Sequence, residues 1–250
     1  MRILIINPNT NAEMTKAVAA SAEKSRDPRT QVDVATNPAG PLSIEGFFDE
    51  VLSAPSVLEL MVREEAAYDA FIIACYSPHP AILAGREAVA KPVIGILEAS
   101  LHLASLVADR FAVVTTSPRW EPLLTEGVRQ VGLASRCAGV FSSGLAVLDL
   151  DAKPPEEVAQ ILYEVSGRAV RERGAEAICL GCAGMAGLDA RLQRELGVPV
   201  IDPIGAAVKL AEALGCLGLA TSKAGAYRPV EPRETMGLPK TFARVYRPGP

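Results

Sequence analysis

The sequence predicts an α/β chain of two similar halves, each a parallel, doubly wound sheet, related by a pseudo-twofold axis with the active site between them. Three observations predict it. Strand-like apolar runs alternate with helix-period segments along most of the 250 residues, and such alternation argues for parallel sheets with helices on both faces. Two buried-strand runs, Phe71-Ile72-Ile73-Ala74-Cys75 and Ala177-Ile178-Cys179-Leu180-Gly181-Cys182, end in a cysteine. Those cysteines lie 182 − 75 = 107 positions apart, and the same offset carries Pro92-Val93-Ile94 onto Pro199-Val200-Ile201. An offset of 108 carries Ile5-Ile6-Asn7 onto Val113-Val114-Thr115. Three strands recurring in one order at near-constant spacing read as a duplicated βαβ-type, Rossmann-like unit of roughly 100 residues.

Each element follows from its local pattern. Arg2 to Ile6 is a strand whose Ile3-Leu4-Ile5-Ile6 is a continuous apolar run, the mark of burial on both faces. Asn7-Pro8-Asn9-Thr10-Asn11 is a polar loop, and Thr10 or Asn11 caps a helix near Met14 to Lys24. Val32 to Ala35 is a second strand. Asn37 to Phe48 is a Gly- and Pro-rich loop with an apolar tip, Ile44, Phe47 and Phe48, and Val51 to Tyr68 is helical. After Cys75 come the turn Tyr76-Ser77-Pro78-His79-Pro80, a helix over Ala81–Ala90, a strand over Pro92–Ile96 and a helix over Glu98–Val107. The second half repeats the scheme, with strands at Arg110–Thr115 and Cys137–Phe141 and helices at Pro118–Val131 and Pro154–Arg173. The second cysteine strand, a helix over Leu188–Leu196, a strand over Pro199–Ile201 and a helix over Ile204–Leu214 complete it. The expected domains are 1–100 with about 205–225, then 101–204, and a Pro- and Arg-rich tail over 226–250 that is a partner-binding arm or disordered.

Composition narrows the function. The net charge is −4 and no basic cluster appears, which argues against nucleic acid as a partner. The apolar run at the amino end is too short for a signal-peptide core or a membrane span, so a cytoplasmic location and no membrane partner are expected. Five cysteines in a chain this long make no disulfide framework. There is no phosphate-binding glycine fingerprint, metal-ligand cluster or lysine-based pyridoxal motif, so neither metal nor organic cofactor is expected. The expected partners are a small-molecule substrate and further copies of the chain.

A cysteine at the carboxyl end of a parallel strand sits where open α/β sheets bind ligands. Gly184 and Gly187 after Cys182 permit a tight turn and close approach of backbone. Taken singly, such a cysteine is ordinarily a small core residue; the duplicated placement argues for function. Two facing thiols form an acid–base pair. One, as thiolate, takes a proton from a carbon alpha to a carbonyl, and the other returns a proton on the opposite face. A thiol pKa of about 8.5 suits that weakly acidic proton better than a carboxylate does. Backbone N–H groups around Ser77 and Ala183-Gly184 are candidates to stabilise the enolate oxygen, and Asn9, Thr10, Thr115 and Thr116 lie at equivalent strand ends as a polar rim. Cys179 and Cys182 form a C-x-x-C, but residues three apart on a strand point to opposite faces. Cys137 and Cys216 read as structural, His79 as a solvated loop residue and His102 as non-catalytic.

Several segments together resemble the aspartate/glutamate racemase superfamily, and more closely its hydantoin and allantoin racemase branch. They are Ile6-Asn7-Pro8-Asn9-Thr10, Ser43-Ile44-Glu45-Gly46, Ala74-Cys75, Pro92-Val93-Ile94-Gly95, Val113-Val114-Thr115-Thr116, Leu180-Gly181-Cys182-Ala183-Gly184-Met185 and Val200-Ile201-Asp202-Pro203. The resemblance implies a two-domain fold with the site between the domains, catalytic cysteines at Cys75 and Cys182, and no cofactor. The expected substrate-binding residues also include Ile44, at the apolar loop tip, with Tyr76 and Met185 beside the two cysteines. The chain departs from the pattern after Cys75. Amino-acid racemases usually carry Asn-Thr where it has Tyr76-Ser77, and Ser77-Pro78-His79-Pro80 lacks the acidic residue common in the hydantoin branch. The function expected is a cofactor-independent racemase of a small cyclic ureide, a 5-substituted hydantoin or allantoin. The rivals are an amino-acid racemase, a maleate-type isomerase or an arylmalonate-type decarboxylase of the same superfamily, and, in another class, a two-lobed binding protein without catalysis.

Overall fold

Apolar runs buried on both faces build the centre of each half. In the computed structural model, which describes residues 1–246, β1 (Arg2–Asn7) lies between β2 (Gln31–Thr36) and β3 (Ala70–Ile73), with β4 (Val93–Gly95) beyond β3. The second sheet repeats that order with β5 (Phe111–Thr115) between β6 (Cys137–Ser142) and β7 (Ala177–Leu180), and β8 (Val200–Ile201) outermost. Every pairing is parallel. The register carries the sequence repeat: Ile6 pairs with Ile73, and Val114, 108 positions on, pairs with Leu180, 107 positions on. Ile3, Ile5, Ile6, Phe71, Ile72, Ile73 and Phe111 are fully buried, as strands covered by helices on both faces require.

The helices are α1 (Ala12–Ser25), α2 (Phe47–Glu64), α3 (Pro80–Ala88), α4 (Ile96–Val107), α5 (Trp120–Gln130), α6 (Asp149–Ala152), α7 (Pro155–Arg173), α8 (Asp189–Leu196), α9 (Pro203–Cys216) and α10 (Lys240–Tyr246). Asn11 caps α1, its side-chain oxygen accepting from the Glu13 and Met14 N–H groups. Helix α2 starts four residues before the expected Val51. Phe47 and Phe48 are therefore helical and exposed, and Asp49 and Glu50 in the first turn suit the positive end of the helix dipole. The short α6 has no counterpart in the expected elements.

The two halves exchange a helix. Helix α9 follows β8 of the second sheet yet packs on β3 of the first, beside α1 and α4. Helix α4 follows β4 of the first sheet and packs on β7 of the second, where Cys179 Sγ meets the Ser100 carbonyl at 3.8 Å. One carboxylate fixes the crossing. Asp202 caps α9 through the Ile204 and Gly205 N–H groups at 2.8 and 3.0 Å, and accepts from Ser21 Oγ at 2.9 Å and from the Gly187 N–H at 2.8 Å. The turn after Cys182 is thus tied to α1 of the other half.

The tail returns over the first half. Lys223 Nζ donates to the Arg86 carbonyl at 2.6 Å, and α10 packs on α2, with Thr241 Oγ1 donating to Glu59 Oε1 at 3.0 Å. Over 240–246 the tail is a docked helix; its last residues, 247–250, lie outside the described residues. Among the described residues no helix is long and apolar enough to cross a membrane.

Candidate active site

Two thiols emerge just beyond the carboxyl ends of the equivalent strands β3 and β7. Cys75 and Cys182 line one cleft between the halves, and Asn9, Ile44, Tyr76, Thr116 and Ala183 share it. Trp120, Val147 and Met14 complete its apolar wall, and none of the three stood out in the sequence. Trp120 had a usable signal, being the one tryptophan and opening α5 after the four-residue turn 116–119 that follows β5. The cleft measures about 30 Å³, room for one or two water molecules. Grooves of about 710 and 280 Å³ lie elsewhere on the surface, but neither contains a thiol of the pair.

Burial dominates the chemistry of both thiols. It pushes Cys75 well above the ordinary thiol range; the charge of Glu50 adds to the rise, a hydrogen bond from Ser77 opposes it, and Cys182 adds a little more. The Ser77 hydroxyl donates to Cys75 Sγ at 3.3 Å. Burial likewise pushes Cys182 up to about 12; the Gly184 N–H opposes that shift, and the charges of Glu45 and Asp151 reinforce it. Among the described residues no Lys, Arg or His lines the cleft, and the carboxylates Glu50, Glu45 and Asp151 act by their charge on the thiols.

The sequence from residue 3 to residue 211 matches the family model described as Asp/Glu/Hydantoin racemase. A hydantoin racemase from Pseudomonas sp. (strain NS671) is 43% identical over 245 residues, which cover 98% of each chain. The chain belongs to this racemase family. An allantoin racemase from Klebsiella pneumoniae superposes with a TM-score of 0.90 at 41% identity, covering 98% of each chain. One from Pseudomonas fluorescens gives 0.91 at 38% identity, covering 95% of this chain and all of that one. The chain is thus an enzyme of the racemase class, of the hydantoin and allantoin type.

Not every residue expected at the site of this racemase faces the cleft. Thr115 turns into the sheet and donates Oγ1 to the Gly181 carbonyl at 3.1 Å; its neighbour Thr116 lines the cleft. Thr10 holds the loop over β1 by donating Oγ1 to the Pro41 carbonyl at 3.2 Å. The Ser77 N–H is engaged by the Cys75 carbonyl at 2.9 Å, so it is not free for a substrate oxygen. Met185 is buried in the core of the second half. Gly184 lies against Leu150 and Met14, where an added Cβ would come within 2.8 Å of Leu150 Cδ1. Asn9 is nine-tenths buried, with its amide oxygen accepting from Asn7 Nδ2 and the Asn11 N–H. Cys137 is half-buried and Cys216 exposed, both away from the cleft.

His79 is a correction of a different kind. Far from being solvated, it is fully buried as the N-cap of α3. Its Nδ1 accepts from the Ala81 N–H at 3.2 Å, so Nε2 carries the proton and donates to Ser53 Oγ at 2.9 Å. Ser53 in turn donates to the Glu50 carbonyl at 2.9 Å. Burial lowers the His79 pKa to about 4, since the charged ring would lose its hydration. The unfolded chain takes up that proton near pH 6.5 and the folded chain only near pH 4. Stability contributed by the neutral ring is therefore complete above pH 6.5 and is lost as pH falls toward 4, by about 3 kcal/mol. Urea titrations between pH 7 and 4 should show this slope in the wild type and a shallower one in His79→Gln. Equal slopes would show that His79 is not buried neutral.

Proposed function

We propose that this enzyme racemises a small cyclic ureide, a 5-substituted hydantoin or allantoin, by proton transfer between Cys75 and Cys182 without a cofactor. One thiolate removes the proton from the stereocentre on its own side. The negative charge passes to the adjacent carbonyl oxygen, and the opposite thiol protonates the other face. We assign the enolate oxygen to the backbone N–H groups directly after each cysteine, at Tyr76 and Ala183, because the Ser77 N–H is already engaged. Oriented backbone donors in a closed site stabilise developing charge at little cost of reorganisation.

The absence of any cationic side chain among the described residues that line the cleft carries the choice of substrate. An amino acid, maleate or an arylmalonate brings one or two carboxylates. Here they would be buried against the two thiols, with no Lys or Arg among the described lining residues to pair with, an arrangement that costs several kcal/mol per unpaired charge. A ureide is neutral and offers amide donors and acceptors to Asn9 and Thr116, while the walls of Ile44, Trp120 and Val147 suit an apolar 5-substituent. Hydantoin and allantoin are also the substrates named for the relatives of about 40% identity. With about 30 Å³ in the cleft, substrate binding requires it to open.

Decay of circular dichroism on each enantiomer of a hydantoin panel, allantoin, aspartate and glutamate tests the reading, with spontaneous racemisation subtracted. Turnover is expected on one or more ureides and not on the free amino acids. Comparable turnover of aspartate or glutamate would sink the ureide assignment. Binding of ureides by folded protein without turnover would favour a non-catalytic binding protein.

A further inference from the structure

Helix α4 joins the two cysteine strands through buried polar groups that the two-thiol reaction leaves unused. Tyr76 follows Cys75, lines the cleft and is buried. Its hydroxyl reaches Ser100 of α4, Oη to Oγ at 2.8 Å. Ser100 is fully buried and donates its one hydroxyl proton to the Leu97 carbonyl at 2.9 Å, so Tyr76 is the donor between the two. The backbone of the same serine serves the other half. Its carbonyl accepts from Sγ of Cys179, fully buried in β7, at 3.8 Å. Cys179 stands three residues before Cys182, on the strand that delivers it. Pro78, in the same turn as Tyr76, lies against Gly127 of α5, where an added Cβ would stand 3.1 Å from Pro78 Cδ and 3.1 Å from Leu97 Cδ1. The turn after Cys75 is thus fastened by a hydrogen bond to α4 and packed against α5, and both helices pack on strands of the second sheet.

We propose that Ser100 is a positioning residue that sets the spacing of the two thiols, its hydroxyl holding the Cys75 turn through Tyr76 and its carbonyl resting on the strand of Cys182. The tie, which rests on the two-thiol reading, answers a demand of that chemistry. A proton leaves one face of a carbon and another arrives on the opposite face, so both sulfurs must stand within reach of one atom. Cys75 and Cys182 follow strands of different sheets, and among the described residues no ladder joins those sheets. Their spacing is therefore set by the side chains and helices that cross between the halves. Without the Tyr76–Ser100 bond the turn carrying Cys75 and the Tyr76 N–H can drift, and a misplacement of about 1 Å can cost 10²-fold in rate.

The test uses the full chain with Tyr76→Phe, Ser100→Ala and the double variant. Inversion of a hydantoin is followed by circular dichroism and α-hydrogen exchange in deuterated water by mass spectrometry, with the spontaneous rates subtracted. Tyr76→Phe keeps the ring in the cleft wall, and Ser100→Ala keeps the helix. Each single variant should lose about 10–10²-fold in the kcat of inversion, with KM changed by less than about threefold. Proton removal needs one thiol beside the carbon, whereas inversion needs both. Exchange with retention should therefore fall less than inversion, and its ratio to inversion should rise about tenfold in both variants. A role confined to stability would lower the two in proportion. Both substitutions break one bond, so the double variant should be no slower than the slower single one. It should also regain part of the Tm lost in Ser100→Ala, which leaves the buried phenol unpaired, without regaining rate. A wild-type ratio of exchange to inversion in the folded variants would overturn the tie, as would losses that multiply in the double variant. If Cys75→Ser racemises normally, the two-thiol reading fails and the tie with it; if Cys75→Ser is inactive while Tyr76→Phe and Ser100→Ala invert at the wild-type rate, only the tie fails.

Discussion

Cys75→Ser and Cys182→Ser should each fold normally and each lose racemisation by about 10³-fold or more, the scale of a missing acid–base group. Serine nearly matches cysteine in size, so the packing around β3 and β7 is kept. Its hydroxyl is far too weakly acidic to give or take a proton near neutrality. The two variants should nevertheless differ. Each thiol sits at the end of its own sheet, on its own side of the cleft, so the survivor still reaches the stereocentre from one face. In deuterated water Cys75→Ser and Cys182→Ser should each exchange the α-hydrogen of one enantiomer preferentially, and the preferred enantiomers should be opposite. Spontaneous exchange is subtracted, because hydantoin α-protons are labile. Wild-type racemisation in either folded variant would refute the pair, and the same preference in both would refute its facing geometry.

Gly181→Ala should damage stability and rate together. Gly181 is pressed against β5: its N–H donates to the Val114 carbonyl at 2.7 Å, and its own carbonyl accepts from Thr115 Oγ1 at 3.1 Å. A Cβ there would stand 2.8 Å from the Val114 carbonyl oxygen and 3.0 Å from Val113 Cγ1. The first of these is backbone, which can yield only if β5 and β7 move apart. Overpacking of this kind costs about 1–3 kcal/mol, or a Tm lower by about 3–10 °C in a chain of this size. The residue displaced is the neighbour of Cys182, and a misplacement of about 1 Å can cost 10²-fold in rate. Gly95→Ala is the control. Its Cβ would meet Ile82 Cδ1, the free end of a flexible side chain, and the rate should change far less. Unchanged melting and rate in Gly181→Ala would show that the strand spacing does not fix Cys182.

The strands and their duplication were legible because buried parallel strands are written as short apolar runs, and a repeat preserves their spacing. The positions of Cys75 and Cys182 followed from the same runs, since a residue just past a strand end inherits the strand's place in the sheet. Boundaries of α2 and α4 were missed by a few residues, where Gly46 and Gly95 at the N-cap positions carry no side-chain signal of their own. The C-x-x-C was rightly divided: Cys179 packs on α4 while Cys182 opens into the cleft.

The architecture, the placement of the two thiols just past strand ends and the racemase family were readable in the sequence, because all depend on patterns local to a strand or repeated between halves. Which rim residues line the cleft was settled only by the packing of distant segments. Thr115 and Thr116 are adjacent and chemically identical, and only the pairing of β5 with β7 sends the first to Gly181 and the second into the cleft. The same holds for His79, buried by α2 through Ser53, and for Trp120 and Val147, brought in from the second half. Beyond a strand end the chain has no period to read; side-chain direction there is set by contacts with segments distant in sequence, and those exist only once the halves have packed.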